Sequence, residues 1–332
     1  MLIEYPSGTV PSGTKLRLTI LGQGLVVLQD GVSKIQFYDP DITTGNPGIV
    51  AFGTTVADNW QGSNATFAAY YISTDGNGVE TWSYVSRNNG ETVHSMRVLR
   101  PTSPTGGRAH HFLYAMPVSP QGDFTYGDSI NYMRLQGIHN TYNVTIVEPN
   151  FNIDPWYGDH ATIEGRHLET FICSEFRPWL QTSSLATSGS EQHWLLGFSK
   201  SGFGFIDIFL KHPTLFDRGA FWDFPAQGFT VYDQFGGAGG SSSLNYGTDA
   251  NFQANYRQTD AFIDARKAPF QNRNKLWISG YSLYATDVSG LDSKFTSMGI
   301  LHSYPTPVNR SHAWDSGWVP AAVDALYQGS IS

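Results

Sequence analysis

Polar and apolar positions alternate strictly through Lys15-Leu16-Arg17-Leu18-Thr19-Ile20, and an apolar run, Gly24-Leu25-Val26-Val27-Leu28, follows closely. Turn-forming clusters punctuate this stretch: Asp30-Gly31, Thr44-Gly45-Asn46-Pro47 and Asp75-Gly76. Period-two alternation between such turns predicts short antiparallel strands. From about residue 77 the pattern changes. Strands are predicted at 81–85, 95–99, 111–116, 144–147, 193–196, 219–222 and 275–278. Helical periodicity predicts helices at 130–139, 167–180, 202–211 and 320–327. Nearly continuous apolar strands between helices belong to a mostly parallel sheet covered on both faces. The chain is therefore read as α/β. A small all-β unit spans residues 1–76, suited to binding or attachment, and an α/β unit spans 77–332. An insertion at about 224–270 contains Gly236-Gly237-Ala238-Gly239-Gly240-Ser241-Ser242-Ser243, flexible by composition. It reads either as a cap over a cleft or as a surface loop with a helix at 256–266.

Composition narrows the partners. Of 332 residues, 40 % are hydrophobic and only 14 % charged, with a net charge of −8. The apolar share supports a large core. The acidic balance, without a Lys/Arg cluster, disfavours a nucleic-acid partner, because phosphate binding needs concentrated positive charge. No apolar run of roughly 18 residues exists to span a membrane. The N-terminus, Met1-Leu2-Ile3-Glu4-Tyr5-Pro6, lacks the basic and apolar regions of a signal peptide. The low charge nevertheless favours an extracellular or particle-bound setting. The single cysteine, Cys173, excludes an internal disulfide and sits in an apolar pattern that reads as buried.

The most informative segment runs from His193 to Leu210. An apolar strand ends at Gly197-Phe198, Ser199 follows, and a helix begins at once. A serine on a tight strand-to-helix turn presents its hydroxyl beyond the sheet edge, and the turn needs small residues around it. Gly197, Ser201 and Gly202 supply them, with Ser201 at a position usually held by glycine. The helix N-terminus aims amide groups at the place where an oxyanion forms. Lys200 is the expected first donor. The second should come from the loop after the 111–116 strand. Pro117 has no N–H, so Val118 or Ser119 takes that role.

A serine nucleophile needs a hydrogen-bonded base. Among ten histidines, His312 has the right place, on a loop late in the chain and just before the last helix. His302 lies within an apolar stretch. Two carboxylates compete for the third role of orienting the imidazole. Asp223 ends the strand after the elbow helix. Asp287 follows the next strand, the commoner place, but it reads as a helix N-cap. Asp223 is preferred, and Asp292 is a distant third. Glu148-Pro149-Asn150-Phe151-Asn152-Ile153-Asp154-Pro155-Trp156-Tyr157-Gly158-Asp159-His160 should reach the same sheet edge. Trp156, Tyr157 and His160 are candidates for lining a substrate pocket, with structural packing as the alternative. No HxH or HxxxH spacing points to a metal.

The run Gly197-Phe198-Ser199-Lys200-Ser201-Gly202-Phe203-Gly204 resembles the esterase branch of the α/β-hydrolases, with its esterase D-like, feruloyl-esterase-like and antigen-85-like members. The segments Lys211-His212-Pro213-Thr214-Leu215-Phe216-Asp217, Trp222-Asp223-Phe224-Pro225, Asp154 through His160 and Ser311-His312-Ala313-Trp314 are similar too. The resemblance covers about 77–328. It implies an α/β-hydrolase fold and cofactor-free ester hydrolysis with Ser199 and His312 in their family roles, through an acyl-enzyme, and the leading expectation for the substrate is a bulky or polymer-linked ester. The branch also contains acyltransferases, and a catalytically inert adhesin on the same fold is a third reading. Oligomeric state is not encoded in any of these signals.

Overall fold

The computed structural model describes residues 16–21, 24–29, 32–38, 67–90, 94–120, 122–226 and 240–328. Strands β1 (Leu16–Leu21), β2 (Gly24–Gln29) and β3 (Val32–Tyr38) pair antiparallel in sequential order. The rest of the expected N-terminal unit before Phe67, including the turn signal at 44–47, lies outside the described residues.

The main sheet comprises β4 (Phe67–Thr74), β5 (Val79–Ser86), β6 (His94–Leu99), β7 (His111–Ala115), β8 (Val144–Pro149), β9 (His193–Phe198), β10 (Arg218–Trp222), β11 (Leu276–Ser279) and β12 (His302–Ser303). Their spatial order is β12-β11-β10-β9-β7-β8-β6-β5-β4. Strands from β12 to β8 run parallel, and β6, β5 and β4 add antiparallel at the other edge. The sheet thus begins at Phe67, before the division expected at 76/77. The Phe67 ring packs on Tyr84 and Phe171 at 5.7 and 5.9 Å between centroids, which anchors β4 to the core.

The helices are α1 (Ser129–Leu135), α2 (Ile138–Thr141), α3 (Leu168–Thr170), α4 (Arg177–Thr182), α5 (Ser199–Lys211), α6 (Ser241–Tyr246), α7 (Asp249–Asn255), α8 (Asp260–Asp264), α9 (Ala285–Ser297) and α10 (Trp318–Gln328). A π-helical stretch, Phe171–Phe176, joins α3 to α4, so the helix expected at 167–180 is one rod with a widened middle. Cys173 lies in that stretch and is buried. The helix expected at 256–266 contracts to α8, because Tyr256 ends α7 and packs its ring on Tyr246 at 4.8 Å.

Alternation along β9 divides the interior into two cores. Leu195 joins Phe203, Ile206 and Phe209 of α5 on one face, while Trp194, Leu196 and Phe198 join Val319, Val323 and Leu326 of α10 on the other. Strands buried on both faces satisfy their backbone only through neighbouring strands. The sheet therefore holds its strand ends in fixed register, and those ends carry the residues considered next.

One buried histidine in this core contributes a pH dependence. His193 is fully buried at the start of β9, with Nδ1 2.7 Å from the Tyr114 hydroxyl. Burial pushes its pKa from 6.5 down to about 3. The folded form keeps it neutral while the unfolded chain protonates it, so its contribution is full above about 6.5 and is lost as pH falls toward about 3. The thermal midpoint is expected to drop across that window, and less steeply in His193→Gln. Equal slopes in both proteins would show that His193 is not responsible.

Candidate active site

β9 runs into α5 without an intervening loop, and the bend falls on Ser199, whose φ is 50°. A non-glycine residue rarely adopts this left-handed conformation. The neighbours explain how the bend closes. A Cβ at Gly197 would lie 2.9 Å from the Ser201 carbonyl carbon, and one at Gly202 would lie 2.9 Å from the Cβ of Phe224. Both positions need the missing side chain. Ser201 is more than a small residue. Its hydroxyl accepts from the Phe198 N–H at 3.1 Å and donates to the Phe198 carbonyl at 2.9 Å, stapling the turn from inside.

The strand beside β9 ends in a second such bend. Asp223 follows β10 with φ 43°, and its carbonyl accepts the Ser199 N–H at 3.2 Å. Its own N–H donates to Ser279, at the end of β11, at 2.9 Å. The Asp223 side chain is fully buried and makes three contacts. Oδ1 accepts from the Tyr284 N–H at 2.9 Å, and Oδ2 accepts from the Leu283 N–H at 3.2 Å. Oδ2 also lies 2.6 Å from Nδ1 of His312. A carboxylate facing Nδ1 places the ring proton there and leaves Nε2 as an acceptor. The imidazole sits among aromatic rings: Phe198 at 5.0 Å, Tyr126 at 5.6 Å and Tyr284 at 5.8 Å between centroids.

The competing carboxylates stand elsewhere. Asp287 lies in the first turn of α9, whose N-cap is Tyr284, so it does not cap the helix as its sequence position implied. Burial raises its pKa. Asp292 pairs with His302 at 2.9 Å.

Lys200 opens the first turn of α5, and its ammonium reaches Asp154 at 3.1 Å. Val118 is buried just beyond β7 and lines a cleft with Ser119, Phe124, Tyr126 and Trp314. Trp314 returns next to His312 and donates its N–H to the Tyr126 carbonyl at 2.8 Å, which ties this cleft to the histidine loop.

In the aromatic loop, the rings of Trp156 and Tyr157 are packed into the interior. Trp156 and Tyr157 are each 1 % exposed. Insertion helix α6 covers Trp156, with Nε1 donating to Ser241 and the backbone N–H to Asn245, both at 3.0 Å. The Tyr157 hydroxyl donates to the Pro117 carbonyl at 2.5 Å. His160 folds back on its own loop, where Nδ1 accepts from the N–H groups of Thr162 and Ile163. No sequence signal separates an aromatic residue that lines a pocket from one that another segment covers. The backbone amides of Leu283 and Tyr284, which hold Asp223, went unrecognised because amides carry no residue code.

Among solved structures, the chain is similar to fluorophosphonate-binding serine hydrolase F of Staphylococcus aureus, with TM-score 0.58 and 16 % identity over 76 % of this chain and 97 % of that one. It is similar to MPT51 of Mycobacterium tuberculosis, with TM-score 0.55 and 14 % identity over 73 % and 94 % of the two chains. The same holds for an S-formylglutathione hydrolase of Agrobacterium tumefaciens, at 0.55 and 13 % over 78 % and 98 %. These likenesses establish the α/β-hydrolase fold. No protein-family model matches the sequence, and no curated protein does.

The staple across the bend is directly testable. Ser201→Ala withdraws a hydroxyl from the buried Phe198 backbone and is expected to cost about 1–3 kcal/mol in urea unfolding. A change within about 0.5 kcal/mol would mean that the turn closes without it.

Proposed function

We propose that this chain is a serine hydrolase that cleaves carboxylic esters, with Ser199 as nucleophile, His312 as base and Asp223 as the carboxylate that orients it. The observation that carries the reading is the 2.6 Å contact between His312 Nδ1 and Asp223 Oδ2, made by the same residue whose carbonyl receives the Ser199 amide. One residue thereby positions both the imidazole and the serine backbone.

The chemistry follows from those roles. Nε2 of His312 takes the Ser199 proton as Oγ adds to the ester carbonyl carbon. The carbonyl oxygen becomes an oxyanion, for which the N–H groups of Lys200 and Val118 are the proposed donors. Collapse of the intermediate breaks the bond to the alkoxy group. That group leaves with the proton from His312, and the acyl group remains on Ser199. Water then adds to the acyl carbon as His312 removes its proton. The second intermediate collapses to free acid and restores the serine. Throughout, the buried Asp223 carboxylate stabilises the imidazolium, and two backbone amides keep it from turning away.

Bulky ester groups are the proposed substrates. Leu283 and Tyr281 stand exposed on the loop that holds Asp223, and Phe124 stands exposed on the cleft wall near Val118. These exposed apolar side chains leave the loop and the cleft wall open to a bulky group. A polymer-linked ester and an extracellular or particle-borne setting fit that openness and the low charge of the chain. The residues preceding the α/β unit are the proposed attachment module.

Ser199→Ala is expected to lower hydrolysis of a p-nitrophenyl short-chain ester about 10³-fold or more, and to abolish labelling by a fluorophosphonate. Retained turnover would remove Ser199 from the mechanism. Asp223→Asn is expected to lower kcat by about 10⁴-fold, as loss of the tautomer-fixing carboxylate does elsewhere, and Asp287→Asn by less than about 10-fold. The reverse ranking would reassign the acid.

A further inference from the structure

We infer that Tyr157 is a positioning residue for the oxyanion site: its hydroxyl turns the 117–118 peptide so that the Val118 N–H faces the reacting carbonyl. The inference rests on the esterase reading and adds to it a control element outside the three reacting side chains.

The argument begins with the peptide unit itself. A trans peptide is planar, and its C=O and N–H point in opposite directions. No cis peptide occurs among the described residues. Pro117 offers no N–H, so the first amide available after β7 is that of Val118. Its direction is fixed by whatever holds the Pro117 carbonyl, and that carbonyl is held by the Tyr157 hydroxyl at 2.5 Å. Pulling the oxygen toward Tyr157 turns the Val118 N–H the other way. No acceptor among the described residues takes that N–H, although Val118 is only 3 % exposed. An amide left unpaired next to a cleft is costly unless something binds there. A hydrogen bond onto the carbonyl also polarises the peptide and strengthens its N–H as a donor.

Tyr157 is built to hold this position. Its backbone has φ 60°, an uncommon state for a bulky residue. Its ring packs on Phe205 of α5 at 4.9 Å and on Phe151 at 5.5 Å. A Cβ at Gly204 of α5 would lie 2.5 Å from the Trp156 carbonyl and 2.7 Å from the Tyr157 Cβ, so α5 is shaped to admit this segment. The tyrosine therefore touches the helix that follows Ser199 and, through its hydroxyl, the 117–118 peptide. It sets the spacing between the two proposed oxyanion donors. Burial pushes its pKa well above the usual tyrosine range, so the hydroxyl stays a donor at every pH at which the enzyme would work.

The test uses the full chain and p-nitrophenyl short-chain esters. Tyr157→Phe keeps the ring and removes only the donor. It is expected to lower kcat about 10- to 100-fold while KM stays within about 2-fold, the split produced by losing an interaction made only in the transition state. Affinity for a trifluoromethyl ketone, whose adduct with Ser199 carries an oxyanion, is expected to weaken by the same factor. Fluorophosphonate should still label Ser199 to completion. Wild-type kcat in a folded Tyr157→Phe protein overturns the inference and leaves the esterase reading intact. So does a loss confined to KM. Absence of ester hydrolysis and labelling in the wild-type chain overturns both together. Should Tyr157→Phe fail to fold, Val118→Pro deletes the amide itself. A roughly 100-fold lower kcat is expected there, and unchanged kcat overturns the inference.

Discussion

Two adjoining strands end in backbone bends that L-residues seldom adopt, and one hydrogen bond joins the bends. Ser199 at φ 50° donates its N–H to the carbonyl of Asp223 at φ 43°. Each bend costs on the order of 1–3 kcal/mol in isolation. The register of β9 against β10 and of β10 against β11 brings them together, and the Asp223 N–H bond to Ser279 ties the second bend to β11. The strain is held by the sheet, not by the loops. A serine and a carboxylate brought together in this way depend on strand pairing deep in the core, and so are as rigid as the core.

Asp223, the carboxylate proposed to orient His312, follows β10, whereas Asp287 follows β11. The loop after β11 still takes part. It contributes the amides of Leu283 and Tyr284, which hold the Asp223 side chain. The aromatic rings around His312 confine the imidazole laterally while its Nδ1 is fixed by charge-assisted hydrogen bonding.

The elbow was readable in the sequence because sterics leave few residue types free there: Gly197, Ser201 and Gly202 are where side chains would collide. The parallel sheet was readable from runs such as Val144 to Val147, apolar at nearly every position. Strand β4 lies before the division expected at 76/77 yet pairs with β5, because a turn such as Asp75-Gly76 looks the same between domains as within a hairpin. Trp156 and Tyr157, for which pocket lining and structural packing were both open readings, are buried. Trp156 is covered by α6, and the Tyr157 ring packs on Phe205 of α5 and on Phe151, and local pattern carries no record of such cover. The amide contacts to Asp223 are likewise tertiary and independent of which side chains stand at 283 and 284.

The left-handed backbone at Asp223 has an evolutionary consequence. Aspartate, asparagine and glycine are the residues that tolerate it best. Drift at this codon is thus steered toward asparagine and glycine, which keep the bend but lack the charge. Either substitution would preserve the bend, and with it the backbone hydrogen bond to Ser199, while removing the carboxylate that faces His312.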